Sequence, residues 1–239
     1  MTVTGCGITE QYYCEIIMKR FFDKGITGRL RSVGVMAVLV IEEPRHAVPT
    51  ARALLRGGID VMELAFRTPN SSEALRRIIE EVPEMLAGVG TILFPDQVRE
   101  AQQLGAAFGV SPGFSRDVVS EALDRRFPFA PGILTPSELE MAIAFGCQTV
   151  KLFPAHISGG ASYVKAIHAP YGHLGVEFIP LGGLSLSNMG DYLKYDFIPA
   201  VGGSWIAPAD LIRSENWSLI TERAGQAVAM VRTIRDKFL

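Results

Sequence analysis

Short apolar runs and stretches of helical spacing take turns along this chain. Runs rich in Val, Ile, Leu and Phe stand at 35–41, 61–66, 86–89, 107–110, 128–130, 149–153, 176–181 and 197–201. Near-continuous apolar runs of this length fit parallel strands covered on both faces. Between them, apolar residues recur at three- and four-residue steps, as in Val48, Ala51, Leu54 and Leu55, or Leu75, Ile78 and Ile79. That spacing predicts amphipathic helices over 47–55 and 72–79. Start signals precede helical segments at Asn70-Ser71-Ser72, Pro95-Asp96, Thr135-Pro136 with Glu138 and Glu140, and Ser187-Asn188. Gly57-Gly58, Gly105 and Gly146 stand where helices should end.

Repeated strand–helix units imply parallel strands joined by crossover helices. Eight of them fit a closed (β/α)8 TIM barrel. An open doubly wound sheet is the alternative, but no G-x-G-x-x-G turn follows the first run. Residues 8–22 read as a helix closing the bottom of the barrel and ended by the turn at 25–28. Residues 217–238 read as a long amphipathic helix, the last of the outer ring. The whole chain, 1–239, reads as one domain, with 1–32 a helical extension and 33–239 the barrel.

Composition changes this picture little. The chain has 239 residues, 48% of them hydrophobic, enough for one sizeable core. A formal net charge of −2 offers no electrostatic reason to expect nucleic acid or an anionic membrane as partner. No apolar run approaches the length of a membrane span, and the N-terminal order is not that of a signal peptide. Cys6, Cys14 and Cys147 show neither a disulfide framework nor metal-ligand spacing, so the chain reads as reduced and cytoplasmic.

Chemistry in such a barrel gathers at the C-terminal ends of the strands. There "VMELAFRTP" places Glu63 and Arg67 on one side of a strand, with Arg67 nearer its end. "GVGT" ends in Thr91, and "VKLFPA" puts Lys151 in an apolar strand with Phe153 on the same face. Each has a plainer reading: Glu63 and Arg67 as a structural ion pair, Thr91 as a helix cap, Lys151 snorkelling to the rim. Glycine turns at "LGGLS" and "GGSW" follow the last two runs, where barrels build phosphate sites from bare backbone N–H groups. Together these parts suit one reaction. A lysine amine attacks a ketone only as the free base, a form that an apolar wall and a nearby cation favour. Arg67 can be that cation and grip a carboxylate, and Glu63 can move protons. Neither a metal nor a cofactor is called for.

"VMELAFRT", "GVGTIL", "VSPGFS", "APGILTPSE", "VKLFPA", "GGLS" and "GGSW", in this order, resemble the 2-keto-3-deoxy-6-phosphogluconate (KDPG) aldolase and 4-hydroxy-2-oxoglutarate aldolase family. The resemblance implies a class I aldolase on a (β/α)8 barrel, a homotrimer, cleaving the phosphogluconate or its galactonate epimer to pyruvate and glyceraldehyde 3-phosphate. It implies Lys151 as the Schiff-base amine and Glu63 as the general acid/base. Arg67 and Thr91 would hold the pyruvyl carboxylate, Pro112 and Phe153 would wall its pocket, and Gly182, Gly183, Gly203 and Ser204 would bind phosphate. Two positions depart from the family pattern. His156 follows "FPA" where many relatives have Glu; it is either a polar loop residue or a substrate-facing imidazole. Leu181 stands where relatives selecting the gluconate epimer often have Thr, and leucine cannot bond a hydroxyl. Weighed against the aldolase are an isomerase or phosphoribosyl enzyme on a phosphate-binding barrel, and a non-catalytic sugar-phosphate sensor.

Overall fold

Apolar runs without a polar face need partners on both sides, and parallel pairing supplies them. The computed structural model describes Phe22 and residues 24–238. Strands and helices alternate as α1 (Lys24–Val33), β1 (Val35–Leu39), α2 (Ala47–Arg56), β2 (Val61–Ala65), α3 (Ser71–Glu81), β3 (Leu86–Gly90), α4 (Pro95–Gln103) and β4 (Phe108–Val110). They continue as α5 (Arg116–Asp124), β5 (Phe129–Ala130), β6 (Gly132–Ile133), α6 (Pro136–Ala144), β7 (Thr149–Leu152), α7 (Gly160–His168) and β8 (Glu177–Pro180). The last elements are α8 (Met189–Leu193), β9 (Val201–Gly203), α9 (Ala209–Arg213) and α10 (Trp217–Phe238).

All the strands pair in parallel, giving an α/β fold with a curled sheet in the order β5-β4-β3-β2-β1-β9 and a second in the order β6-β7-β8. β2 is buried along its whole length, as a strand covered on both faces must be. Register sets Glu63 beside Val38 on one side and Gly88 on the other, and Lys151 beside Gly132 and Ile179. A single parallel bridge, Leu181 to Gly202, links the end of β8 to β9.

Three expectations need correction. Of the predicted 128–130 run only Phe129–Ala130 is strand (β5), and a separate short strand, β6, follows beyond Pro131, whose ring nitrogen carries no N–H for a ladder. Residues 197–200 are not strand: pairing with β1 begins at Val201, and Pro199 again lacks the donor. Phe197 stacks instead on His168, with ring centroids 3.6 Å apart. The expected turn at 25–28 is helix. In α1, Ile26, Leu30 and Val33 form a buried stripe, and burial of three such side chains outweighs the roughly 1 kcal/mol that each of Gly25 and Gly28 costs a helix. Arg29 reaches Asp60 at 2.8 Å, and Arg31 reaches the Asp196 carbonyl at 2.7 Å, so α1 sits at the N-terminal ends of β2 and β9. The expected helix at 8–22 lies outside the described residues, apart from Phe22, which is buried with its ring 5.6 Å from that of Phe108.

Helix starts follow the local chemistry. Thr135 caps α6 by accepting from the Glu138 N–H at 3.3 Å, while Glu138 Oε2 accepts from the Leu134 and Thr135 N–H groups at 2.8 and 2.7 Å. Burial pushes the Glu138 carboxyl up, but these bonds together hold it below the usual carboxylate range. Thr135→Ala should therefore cost about 1 kcal/mol, read as a lower urea midpoint at unchanged slope. Cys147 is free and buried, and burial pushes its thiol up to about 12. Among the described residues no helix is long and apolar enough to cross a membrane.

Candidate active site

Two strands deliver the central pair. β2 carries Glu63 inward and β7 carries Lys151 inward, 88 positions apart in the chain. Lys151 Nζ donates to Glu63 Oε1 at 3.0 Å and lies 3.4 Å from Oε2. Both side chains are almost wholly out of water, 5% and 1% exposed. Desolvating two charges costs several kcal/mol per ion, so a buried pair of this kind adds little net stability against an apolar pair of the same volume. A desolvated pair of this kind beside a cavity is a candidate working site. The lysine does not snorkel, and the carboxylate of Glu63 goes to Lys151, not to Arg67.

Arg67 sits just past the end of β2, and its Nε donates to Thr91 Oγ1 at 3.0 Å. Thr91 holds φ 61, a left-handed conformation that is rare for a β-branched residue and costs about 1–3 kcal/mol. It caps no helix, since α4 begins at Pro95 with Phe94 as its N-cap. The threonine instead fixes one edge of the guanidinium.

A cavity of about 370 Å³ opens beside the pair. Glu63, Arg67, Lys151 and Phe153 line it, and the Phe153 ring centroid lies 5.7 Å from Lys151 Nζ. Gly182, Gly183, Gly203 and Ser204 line it too, with Gly182 packed beside the Phe153 ring. Eight of the ten residues singled out from the sequence thus meet at one cavity. Thr91 reaches it only through Arg67. Pro112 is not among the lining residues: its carbonyl packs against Gly132, the register partner of Lys151.

The two glycine segments differ. Gly182 and Gly183 have φ 91 and 77 and form a true left-handed turn that an L side chain would strain. Asn188 braces that turn, donating through Nδ2 to the Gly183 carbonyl at 3.0 Å. Gly202 and Gly203, expected as a turn, lie within β9 without positive φ. They are glycine because of close packing: a Cβ on Gly202 would come within 2.6 Å of Leu181 Cγ, and one on Gly203 would fall inside the Trp205 ring.

His156 does not face the cavity. It is exposed, its Nδ1 lies 3.3 Å from Tyr192 Oη, and its backbone N–H donates to the Gly182 carbonyl at 3.0 Å. Burial, helped by Asp191, raises the Tyr192 phenol, which stays an O–H near neutral pH. Leu181 does line the cavity, presenting an apolar wall. Sequence reasoning missed Val38, Val40, Leu184, Pro208 and Ala209 in that lining. Strand alternation gives a usable signal for Val38 and Val40; nothing local marks Pro208 or Ala209. No group of three or more His, Cys, Asp or Glu side chains among the described residues is placed to hold a metal.

Comparison with known proteins bears on this geometry. Residues 26–223 match the model of the KDPG and KHG aldolase family. The 2-dehydro-3-deoxy-phosphogluconate aldolase of Dickeya dadantii (strain 3937) is 42% identical over 195 residues, covering 82% of this chain and 91% of the relative. The KHG/KDPG aldolase of Escherichia coli (strain K12) is 40% identical over 194 residues, covering 81% and 90%. Among solved structures, a KDPG aldolase from Legionella pneumophila superposes with a TM-score of 0.80 at 37% identity, covering 84% of this chain and 97% of that one. That crystal holds pyruvate captured at low pH as a covalent carbinolamine intermediate.

Proposed function

The chain belongs to the KDPG and KHG aldolase family, and from that premise we infer that Lys151 is the Schiff-base amine of a class I pyruvate aldolase. The carrying observation is the buried 3.0 Å contact between Lys151 Nζ and Glu63 Oε1 at the wall of the cavity. The substrates are 2-keto-3-deoxy-6-phosphogluconate or its galactonate epimer, and 4-hydroxy-2-oxoglutarate.

Glu63 takes a proton from Lys151, and the freed amine adds to the C2 ketone to form a carbinolamine. Glu63 returns a proton to the departing hydroxyl, which leaves as water, and an iminium remains. The carboxylate then accepts the C4 hydroxyl proton as the C3–C4 bond breaks; its electron pair moves into the enamine and the aldehyde departs. Protonation at C3 and hydrolysis release pyruvate and restore the amine. Arg67, held by Thr91, grips the substrate carboxylate through its fork. Phe153 walls the pyruvyl end, and Pro112 supports that wall from its place against Gly132. Gly182, Gly183, Gly203 and Ser204 take the phosphate, and Leu181 offers no group to read a hydroxyl. An isomerase or a sensor on the same scaffold would have no use for a desolvated amine beside a carboxylate.

Incubation with pyruvate and borohydride, followed by mass spectrometry, tests this reading: the reduced adduct should map to Lys151. No adduct on an active preparation would end it. Ser204→Ala should raise KM for the phosphorylated substrate at least about fivefold more than KM for 4-hydroxy-2-oxoglutarate, as loss of one hydrogen bond to a charged group implies. An equal loss on both would remove Ser204 from the phosphate site.

The architecture we propose is one domain whose sheets close into a (β/α)8 barrel. The Leu181–Gly202 bridge on one side and the continuity of β5 and β6 through Pro131 on the other support closure. We also propose a cytoplasmic homotrimer: the thiol of Cys147 is unpaired, and exposed Leu93 and Phe94 offer apolar surface for a second copy to cover.

A further inference from the structure

Gly90 ends β3, the strand beside β2, two residues past Gly88, the register partner of Glu63. Its register partner is Ala65, and its carbonyl accepts from the Phe66 N–H at 2.8 Å, so its backbone is locked to β2. A Cβ built on Gly90 would lie 2.7 Å from Glu63 Oε1 and 2.9 Å from Glu63 Cδ. Carbon atoms pack at about 3.5 Å or more, so that space belongs to the carboxylate. Backbone freedom is not the reason for the glycine. Gly90 has no positive φ, while its neighbour Thr91 takes φ 61 without being glycine.

We propose that Gly90 is a positioning residue for the aldol chemistry, seating the Glu63 carboxylate against Lys151 by leaving its own side of the site empty. The claim rests on the roles assigned to Lys151 and Glu63 above. With the strand ladder fixed, the flexible end of Glu63 is what must yield to a methyl group. Restoring normal contact requires a shift of roughly half an ångström or more, beyond the tolerance of a productive proton-transfer geometry. Arg67 and the Gly182–Gly183 turn are untouched by such a shift, so binding should survive while turnover falls.

Gly90→Ala should lower kcat by about 10- to 100-fold with KM within about twofold of wild type. A purely structural role would not produce that split. In a Glu63→Ala background, where the methyl meets no carboxylate, Gly90→Ala should change the residual kcat less than about twofold. Wild-type kcat in Gly90→Ala, or an equal loss in both backgrounds, overturns the proposal. If Gly90→Ala alone does not fold, the double variant decides: a folded double supports the steric link to Glu63, and an unfolded one overturns it. Borohydride trapping of pyruvate on the wild-type chain separates the two readings. Without an adduct both fall, whereas an adduct alongside an unaffected Gly90→Ala removes only this one.

Discussion

Lys151→Arg is expected to lose the pyruvate adduct completely and to lower kcat on 2-keto-3-deoxy-6-phosphogluconate by on the order of 10⁴-fold or more. Arginine keeps the positive charge beside Glu63, so the buried carboxylate retains a counter-ion and the fold should survive. What it loses is the nucleophile: a guanidinium does not give up its proton near neutral pH and forms no iminium with a ketone. Because Arg67 and the Gly182–Gly183 turn remain, KM should change far less than kcat. Circular dichroism, a urea midpoint and borohydride trapping on the same preparation check each part. An adduct in Lys151→Arg, or turnover within tenfold of wild type, would place the chemistry at another amine.

Glu63→Gln should slow turnover by on the order of 10²-fold or more. Glutamine preserves the shape and can accept one hydrogen bond from Lys151, but its amide cannot take the proton whose removal frees the amine. Nor can it protonate the departing hydroxyl or deprotonate the C4 alcohol, so several steps suffer at once. The same substitution strips a buried ammonium of its counter-charge, a change that costs about 3–5 kcal/mol when nothing replaces it. Both the urea midpoint and kcat should therefore fall. Unchanged kcat would mean that a water or another group carries the proton.

The elements most legible in the sequence are those set by near neighbours. α10 spans Trp217–Phe238, matching the span its apolar periodicity predicts. The Thr135–Glu138 capping box stands where a threonine followed by glutamate three residues later predicts it. Misreadings arose where two local signals compete. Gly25 and Gly28 read as a turn, yet the stripe of Ile26, Leu30 and Val33 keeps helix α1 intact. Gly202 and Gly203 read as a turn although their job is to admit Leu181 and Trp205. A glycine chosen for space and one chosen for conformation look alike until the neighbouring atoms are placed.

By itself the sequence determined the alternation of strand and helix, the strand parity that turns Glu63, Lys151 and Phe153 inward, and the chemistry those side chains can perform. All of this follows from spacing within a few residues and from functional groups, which no fold alters. Only the tertiary structure decided that Glu63 pairs with Lys151 and Arg67 with Thr91, that His156 turns to Tyr192, and that Gly90 keeps room for a carboxylate. Those choices depend on strand register and on the curl of the sheets, which bring Glu63 and Lys151 together across 88 residues. Register is set by the summed packing of the whole core, and no short stretch of chain carries that sum.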